Sequence, residues 1–404
     1  MTVLFALVGA VVAAAVAILA AAEAVLRLWA WFRKTYLVEE IRRQDFLDPA
    51  YHPYINWTDA WDQPMFRYVP AGFRVFNTAN PVPQVVNNRL GFRTVELDAP
   101  VDEEAFRVVV MGGSAAWGFG ASCNATTIAG ALERLLNDGP LPEGRRHAVV
   151  YNLAQVNQTQ TQDLILAIQY LPRLRPHVVV HYNGWNELAA SITMDERLLA
   201  DYDLFPMNEL VGWEPIATGD NPARTLREAL RLWGRRRSRL LEALWKAPAR
   251  IQFHRSVADN VTLVSPLFAR NIERFDVLAR GLGFRYFNFL QPNLYRKRFL
   301  TPAEAKAIEL YDVHRPMMGG KGNGDFLRSS DLYAGVMAQV AGTEAEGRVI
   351  NLGDIFLDDP EARFFSLVHC RDEGYAAIAA AIHDVLCRPV EGRAETEATI
   401  RCEN

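Results

Sequence analysis

The chain has 404 residues, of which 50% are hydrophobic, and 43 Lys and Arg against 47 Asp and Glu give a net charge of -4. This composition excludes a disordered chain and provides no overall attraction to nucleic acid. The four cysteines form no CxxC or CxxxC pair, which argues against a structural zinc site. A disulfide between Cys387 and Cys402 is one option, and it would require an oxidising compartment.

The chain begins with an uncharged apolar stretch over residues 2–22. As a helix it is long enough to cross the ~30 Å hydrocarbon core of a bilayer. No positive side chain precedes it, and it is longer than the core of a usual signal peptide, so we predict a single transmembrane helix in an anchor of residues 1–34. A cleaved signal peptide or a buried helix is the alternative. The residues that follow resemble an interfacial anchor: Arg27, Trp29, Trp31, Phe32, Arg33 and Lys34.

Residues 35–104 are rich in Pro, Asn, Tyr and Trp and show little periodicity. We interpret them as a connecting or covering segment that packs on the following domain without forming one.

From residue 105 onward, apolar strands alternate with amphipathic helices. Strands are predicted at 107–111, 148–153, 177–182, 284–290 and 348–355, and helices at 127–136, 161–171, 271–282, 302–310, 330–340 and 373–386. This alternation predicts an α/β domain over residues 105–390 with a five-stranded parallel sheet between helices. Ligands are expected at the carboxyl ends of the strands. Residues 391–404 are then a C-terminal tail.

The alternation is interrupted at about residues 191–260 by a helical insertion with a basic stretch. One interpretation is an amphipathic helix on anionic lipid headgroups. The other, which we favour, is a solvated helical excursion whose leucine face packs on the domain. The positive side chains of this stretch are Arg227, Arg231, Arg235, Arg236, Arg237, Arg239 and Lys246.

Polar residues suited to acyl transfer follow three of the predicted strands. Gly112-Gly113-Ser114 follows the first strand, Asn186 and Glu187 follow the third, and His369 follows the fifth. A serine hydroxyl is a weak nucleophile until a histidine accepts its proton, and an asparagine N–H can bind the oxyanion that forms. For each residue taken alone we favour a structural role: a turn for Ser114, a strand-end cap for Asn186, a first-turn charge for Glu187 and a helix cap or surface position for His369. Taken together, they favour a site.

Together these motifs resemble the SGNH (GDSL-type) hydrolase family over about residues 85–388. Its first block, GDS or GGS, matches at Ser114, its third block, Gly-x-Asn-Asp/Glu, matches at Asn186, and its fifth block matches at His369 and Gly374. The segments NNRLGFRT and FLQPNLYRKRFLTPAEA also resemble membrane-anchored bacterial members. The resemblance implies a flavodoxin-like αβα sandwich and ester hydrolysis or acyl transfer without a metal or other cofactor.

By this resemblance, Ser114 would be the nucleophile and His369 the general base. The backbone N–H of Ser114 and the side chain of Asn186 would bind the oxyanion. Asn157 stands where the family's second block has a glycine that supplies a third donor. Its backbone N–H survives this change, and asparagine tolerates a positive φ better than most residues, so Asn157 could still donate.

A second departure concerns the acid of the triad, because Ser366 stands three residues before His369 where the family has an aspartate. An aspartate would orient the imidazole and stabilise its cation, whereas a serine brings no charge. Three outcomes are open. In the first, Ser114 and His369 act as a dyad that is steadied by Ser366 or a main-chain carbonyl. In the second, an acid comes from elsewhere, such as Asp358 or Asp359. In the third, the site is degenerate.

These observations predict a membrane-anchored serine esterase acting through an acyl-enzyme on O-acyl groups of a cell-envelope glycan. The glycan is implied by the resemblance alone. The alternatives are an O-acyltransferase and a non-catalytic binding or assembly protein that retains the fold. The resemblance implies a domain outside the cytoplasm, whereas the positive charges after the helix favour the opposite orientation.

Overall fold

The computed structural model of the protein describes residues 2–32, 68–71, 74–77, 85–98, 100–142, 144–156, 158–187, 238, 240, 257–309 and 331–387. The chain forms two compact units. One comprises Met1–Leu47 with Asn208–Gln252, and the other comprises Asp48–Met207 with Phe253–Asn404. The domain boundaries drawn from the sequence remain predictions.

The elements are numbered in chain order among the described residues. The strands are β1 (Tyr68–Ala71), β2 (Arg74–Asn77), β3 (Ala105–Gly112), β4 (His147–Asn152), β5 (Val178–Asn183), β6 (Arg285–Leu290) and β7 (Val349–Asn351). The helices are α1 (Thr2–Phe32), α2 (Ser114–Trp117), α3 (Ile128–Asp138), α4 (Gln160–Leu174), α5 (Val257–Leu282), α6 (Pro302–Glu309), α7 (Asp331–Val340) and α8 (Asp372–Cys387).

In the first unit, α1 contains a 23-residue span, Leu7–Trp29, with a mean hydropathy of 2.3. The span is long and apolar enough to cross a membrane, and a signal sequence would have the same properties. Near its C-terminal end, the Glu23 carboxylate accepts hydrogen bonds from the Ser238 hydroxyl at 2.8 Å and from the Leu240 backbone N–H at 2.7 Å. These two described residues of the predicted insertion therefore contact the N-terminal helix.

In the described part of the second unit, five parallel strands form one sheet in the order β4-β3-β5-β6-β7. Numbered along the chain within this sheet, the order is 2-1-3-4-5, which is the flavodoxin-like doubly wound arrangement. This confirms the predicted fold class. Because the chain reverses its winding direction after β4, the ends of β3 and β5 lie side by side at the edge where a ligand is expected.

Both faces of the sheet are covered, as the continuous apolar strands predict. On one face, Val108 and Val110 of β3 pack in a cluster with Ile378 and Ile382 of α8. On the other, Val109 packs in a cluster with side chains from α4, α5 and α7. The alternation of β3 side chains between the two clusters is the period-2 pattern of a strand.

The structure differs from the sequence prediction in three elements. The helix predicted at 271–282 already begins at Val257, inside the segment predicted as an insertion. The predicted connecting segment contains an antiparallel pair, β1 with β2, that its low periodicity did not reveal. The predicted strand at 348–355 is shorter, because β7 ends at Asn351 and consecutive turns follow it, closed by the Ile355 N–H to Leu352 and the Leu357 N–H to Asp354.

Candidate active site

Strand β3 leads directly into α2 through a turn that requires glycine. Gly112 has a φ of +139°, and a Cβ at this position would collide with the Tyr182 carbonyl oxygen of β5. The Trp117 N–H then bonds to the Gly113 carbonyl at 2.9 Å, which closes the first turn of α2. Ser114 is the first residue of α2, so its hydroxyl lies at the carboxyl edge of the sheet.

The structure brings together the three residues that the sequence assigned to catalysis. The Ser114 Oγ lies 2.8 Å from the His369 Nε2, and the His369 Nδ1 lies 2.7 Å from the Ser366 Oγ. All three side chains are buried, with residue exposures of 5%, 2% and 4% for Ser114, His369 and Ser366. A continuous hydrogen-bonded chain therefore connects Ser114 to Ser366.

The imidazole of His369 lies in an apolar environment. Its ring centroid is 4.7 Å from that of Phe119 and 5.7 Å from that of Phe365. Burial lowers the pKa of His369 to about 3, because an imidazolium there would lose its hydration. The ring is thus neutral at physiological pH, which is the protonation state that a general base requires.

The two aspartates considered as replacements for the missing acid bind other residues. Asp358 pairs with Arg298 at 2.8 Å, and Asp359 pairs with Arg363 at 2.7 Å. The Nδ1 of His369 instead meets the hydroxyl of Ser366. Of the outcomes left open by the sequence, this arrangement corresponds to a Ser114–His369 pair steadied by Ser366.

Ser366 differs from an aspartate in a second way besides charge. A carboxylate only accepts hydrogen bonds, so it forces the Nδ1–H tautomer, whereas a hydroxyl can accept or donate. The Ser366 Oγ also accepts the backbone N–H of His369 at 3.3 Å. An Nδ1–H donated to this same oxygen would leave Nε2 as the acceptor that Ser114 needs.

Asn186 lies directly over the nucleophile turn. Its Nδ2 donates to the Gln158 carbonyl at 2.6 Å, and a Cβ on Gly113 would collide with the same nitrogen. A primary amide has two hydrogens, so one remains for an oxyanion beside Ser114. Asn157 lies outside the described residues, and its part in the oxyanion hole stays a prediction.

Glu187 holds the second and third motif blocks together. Its two carboxylate oxygens accept the N–H of Gln160 at 2.8 Å and the N–H of Gly184 at 2.9 Å. Burial raises the pKa of this carboxyl group, and the backbone hydrogen bond from Gln160 opposes the rise. Sequence reasoning treated Glu187 as a possible first-turn charge and missed this link between α4 and the end of β5.

Arg93, in the NNRLGFRT segment, holds the loop after the nucleophile. Its guanidinium donates to the Gly118 carbonyl at 2.6 Å and to the Asn124 side chain at 2.9 Å, and lies 4.9 Å from the centroid of the Trp117 ring. The loop it binds includes Phe119, which packs on His369. The buried Arg93 therefore supports one wall of the site, a role that its sequence motif alone did not specify.

A second buried histidine lies behind the sheet edge. The His181 Nε2 lies 2.9 Å from the Asp163 carboxylate, and its Nδ1 lies 3.1 Å from the Tyr286 hydroxyl. Burial raises the pKa of Asp163, and hydrogen bonds from His181 and from the Gly112 N–H oppose the rise. This pair therefore connects α4 to the turn that precedes Ser114. Among the residues described, no group of three His, Cys, Asp or Glu side chains is arranged to hold a metal ion.

The fold resembles several solved structures of ester-cleaving enzymes. A GDSL-like lipase from Bacteroides thetaiotaomicron is 14% identical over 70% of this chain and 89% of its own, with a TM-score of 0.34. A catalytic mutant of an acetylxylan esterase from Geobacillus stearothermophilus is 14% identical over 69% and 93%, with a TM-score of 0.33. Another acetyl xylan esterase is 11% identical over 69% and 99%, also at 0.33. No family model and no curated protein matches the sequence.

Proposed function

We propose that the chain is an SGNH-type serine esterase that cleaves carboxylic esters through an acyl-enzyme on Ser114. The observation that carries this proposal is the 2.8 Å contact between the Ser114 Oγ and the His369 Nε2. A serine next to a neutral, buried imidazole, with donors at the end of β3 and from Asn186, is the arrangement that acyl transfer needs.

In the first half of the reaction, the Ser114 Oγ attacks the ester carbonyl carbon while its proton passes to the His369 Nε2. The oxyanion accepts hydrogen bonds from the Ser114 N–H and the Asn186 side chain, with the Asn157 N–H as a third donor. The tetrahedral intermediate then breaks its bond to the alcohol oxygen, which takes the proton from Nε2. The products are the free alcohol and an acyl ester on Ser114.

In the second half, a water molecule gives its proton to Nε2 and its oxygen attacks the acyl carbon. Collapse of the second intermediate returns the proton to the Ser114 Oγ and releases the carboxylic acid. A sugar hydroxyl in place of water would make the same enzyme an O-acyltransferase. We favour O-acyl groups of a cell-envelope glycan as substrate, on the resemblance to membrane-anchored bacterial members of the family.

We further propose that α1 anchors the chain by a single span and that the catalytic unit lies outside the cytoplasm. Cys387 is disulfide-bonded, and disulfides persist in oxidising compartments. This observation supports an extracytoplasmic domain against the positive charges that follow the helix. A phosphatase reporter fused after Lys34 is expected to be active, and an inactive reporter would place the domain inside.

The catalytic proposal is tested with the full chain in detergent micelles and an aryl acetate as substrate. We expect hydrolysis by the wild type and a loss of at least about 10²-fold in Ser114→Ala and in His369→Ala, because a site without the triad acid lacks part of the rate that a complete triad supplies. Equal rates for the three proteins would reject an enzyme and favour a binding protein that retains the fold, the alternative that Ser366 motivates. Transfer of acetyl groups to an added oligosaccharide would instead favour the acyltransferase.

A further inference from the structure

The residues after β6 hold the loop that carries Ser366 and His369. We name residues 361–371 the histidine loop. The loop is closed on itself by the Arg371 N–H to Arg363 at 2.9 Å and the Phe365 N–H to His369 at 3.1 Å. From outside the loop, the Leu294 N–H donates to the Leu367 carbonyl at 2.8 Å. The loop therefore has its own backbone frame and an external attachment at its tip.

A second attachment is made by a fully buried ion pair, Lys297 with Glu304. Their side chains have no exposed surface, and the Nζ lies 2.6 Å from the Oε2. The other carboxylate oxygen, Oε1, accepts the backbone N–H of Arg363 at 3.0 Å and that of Phe364 at 3.2 Å. Lys297 also donates to the Glu361 carbonyl. Both members of the pair thus bind the base of the histidine loop.

Capping of α6 explains only part of this arrangement. The sequence Thr301-x-x-Glu304 is a capping box, in which the Glu304 Oε2 accepts the Thr301 N–H at 3.0 Å. The bonds made by Oε1 reach 59 and 60 residues along the chain and contribute nothing to the helix end. A carboxylate is also a stronger acceptor than a neutral group, so it fixes the two N–H groups tightly.

Resting on the esterase function proposed above, we propose that Glu304 is a positioning residue for His369. In a triad with an aspartate, the acid itself orients the imidazole. Here Ser366 offers one neutral hydrogen bond, and the place of the ring depends on the loop that carries it. Glu304 holds that loop at Arg363 and Phe364, while its charge is balanced by Lys297. Glu304 acts through the backbone and touches no reacting atom.

The test compares two double variants of the full chain, Lys297→Met/Glu304→Gln and Lys297→Met/Glu304→Met. Both lack the ion pair, and only the glutamine retains a carbonyl acceptor for the two N–H groups. Replacing a buried ion pair by apolar residues is often tolerated in stability, so both are expected to fold. We expect kcat for an aryl acetate to be on the order of 10- to 100-fold lower in the Met/Met variant than in the Met/Gln variant, with similar KM.

Two further variants keep the test decisive. Glu304→Asp retains the negative charge, but its side chain is one methylene shorter, which moves the carboxylate away from the N–H groups of Arg363 and Phe364. We therefore expect a lower kcat with little change in KM. Asp358→Asn removes the exposed ion pair with Arg298 from the neighbouring loop and should leave kcat unchanged. Equal kcat in the two double variants would overturn the proposal. If the Met/Met variant does not fold, a wild-type kcat in Glu304→Asp would overturn it.

A readout that needs no turnover separates this proposal from the catalytic one. The imidazole ¹⁵N resonances of His369, assigned by their loss in His369→Gln, report its tautomer and its contact with Ser114. We expect wild-type resonances in the Met/Gln variant and altered ones in the Met/Met variant. Absence of Ser114-dependent hydrolysis in the wild type would reject the esterase alone. Identical resonances in both variants would reject the positioning role.

Discussion

The two partners of the Ser114–His369 hydrogen bond lie on two loops that are held in place differently. Ser114 lies in the nucleophile turn, which we define as residues 112–120, and His369 lies in the histidine loop. The turn is closed by two local backbone contacts, the Trp117 N–H to Gly113 and the Phe119 N–H to Ser114, both at 2.9 Å, and Arg93 adds a contact to Gly118 from outside it. The histidine loop is fixed by Glu304, a side chain about 60 residues away. A short motif can therefore encode the backbone of the turn, whereas the position of the histidine loop also depends on a distant carboxylate.

If this comparison is correct, the turn should tolerate almost no change, and Gly113→Ala is the sharpest test. The φ of Gly113 is -83°, which alanine adopts without strain, but the added Cβ would collide with the Asn186 Nδ2. Displacing that oxyanion donor should lower kcat about 10²- to 10³-fold, as the loss of one donor does elsewhere. The measurement is aryl acetate hydrolysis at saturating substrate.

Gly139→Ala provides the matched control for this substitution. Gly139 follows α3, has a φ of -108°, and a Cβ there would find its nearest neighbour, the Leu135 carbonyl, at 3.6 Å. We expect wild-type kcat from this variant. A Gly113→Ala protein with wild-type kcat would show that Asn186 does not bind the oxyanion.

In the histidine loop, by contrast, we expect that a substitution can raise kcat, and Ser366→Asp tests this. An aspartate would accept the Nδ1–H and stabilise the imidazolium formed when Ser114 attacks. Because neutralising such an acid elsewhere costs about 10⁴ in turnover, we expect the reverse change to raise kcat by at least about 10-fold.

Ser366→Asn is the control for Ser366→Asp, since asparagine has a similar size and an acceptor but no charge. It should gain little. If both variants are folded and both turn over no faster than the wild type, the missing charge does not limit the reaction. The loop would then be adapted to a neutral partner.

The sequence predicted the fold, and also that Ser114 and His369 lie close together, because the signals for both are local. The apolar run of β3 ends in Gly112, and the polar residues after β5 and near residue 369 follow separate strands of a parallel sheet, whose carboxyl ends share one edge. These features follow from residue type and order alone. The same reasoning overextended β7, because the apolar residues after Asn351 form turns that resemble a strand in composition.

The supporting contacts could not be predicted, because they join segments with no relation in sequence. Arg93 binds Gly118 across 25 residues, and Glu304 binds Arg363 across 59. Glu304 carries a recognisable helix-capping signal, and this signal accounts for only one of its two oxygens. Local patterns identify which groups are available for chemistry, and tertiary packing decides which distant side chains hold them.

The smallest expected effect concerns the pH dependence of the wild type. We expect no fall in kcat/KM near the pKa of an ordinary histidine, and this tests the environment of His369 in the histidine loop. An unperturbed histidine titrates at about pH 6.5, so kcat/KM would fall below that pH in an ordinary site. Burial lowers the pKa of His369 to about 3, so the base stays unprotonated and kcat/KM for a neutral ester should be constant from about pH 8 to about pH 5.

The low pKa of His369 keeps the activity constant as the pH falls, but it makes the folded chain less stable at low pH. The unfolded chain binds a proton at His369 below ~6.5, whereas the folded chain does not until about pH 3. This contribution to stability is therefore complete above ~6.5 and declines as the pH falls toward 3, so the flat activity profile must be measured where the chain remains folded. A break in kcat/KM near pH 6.5 in folded protein would mean that the imidazole is hydrated or paired with a charge. In Ser366→Asp, where such a charge is supplied, the break should move up toward that value.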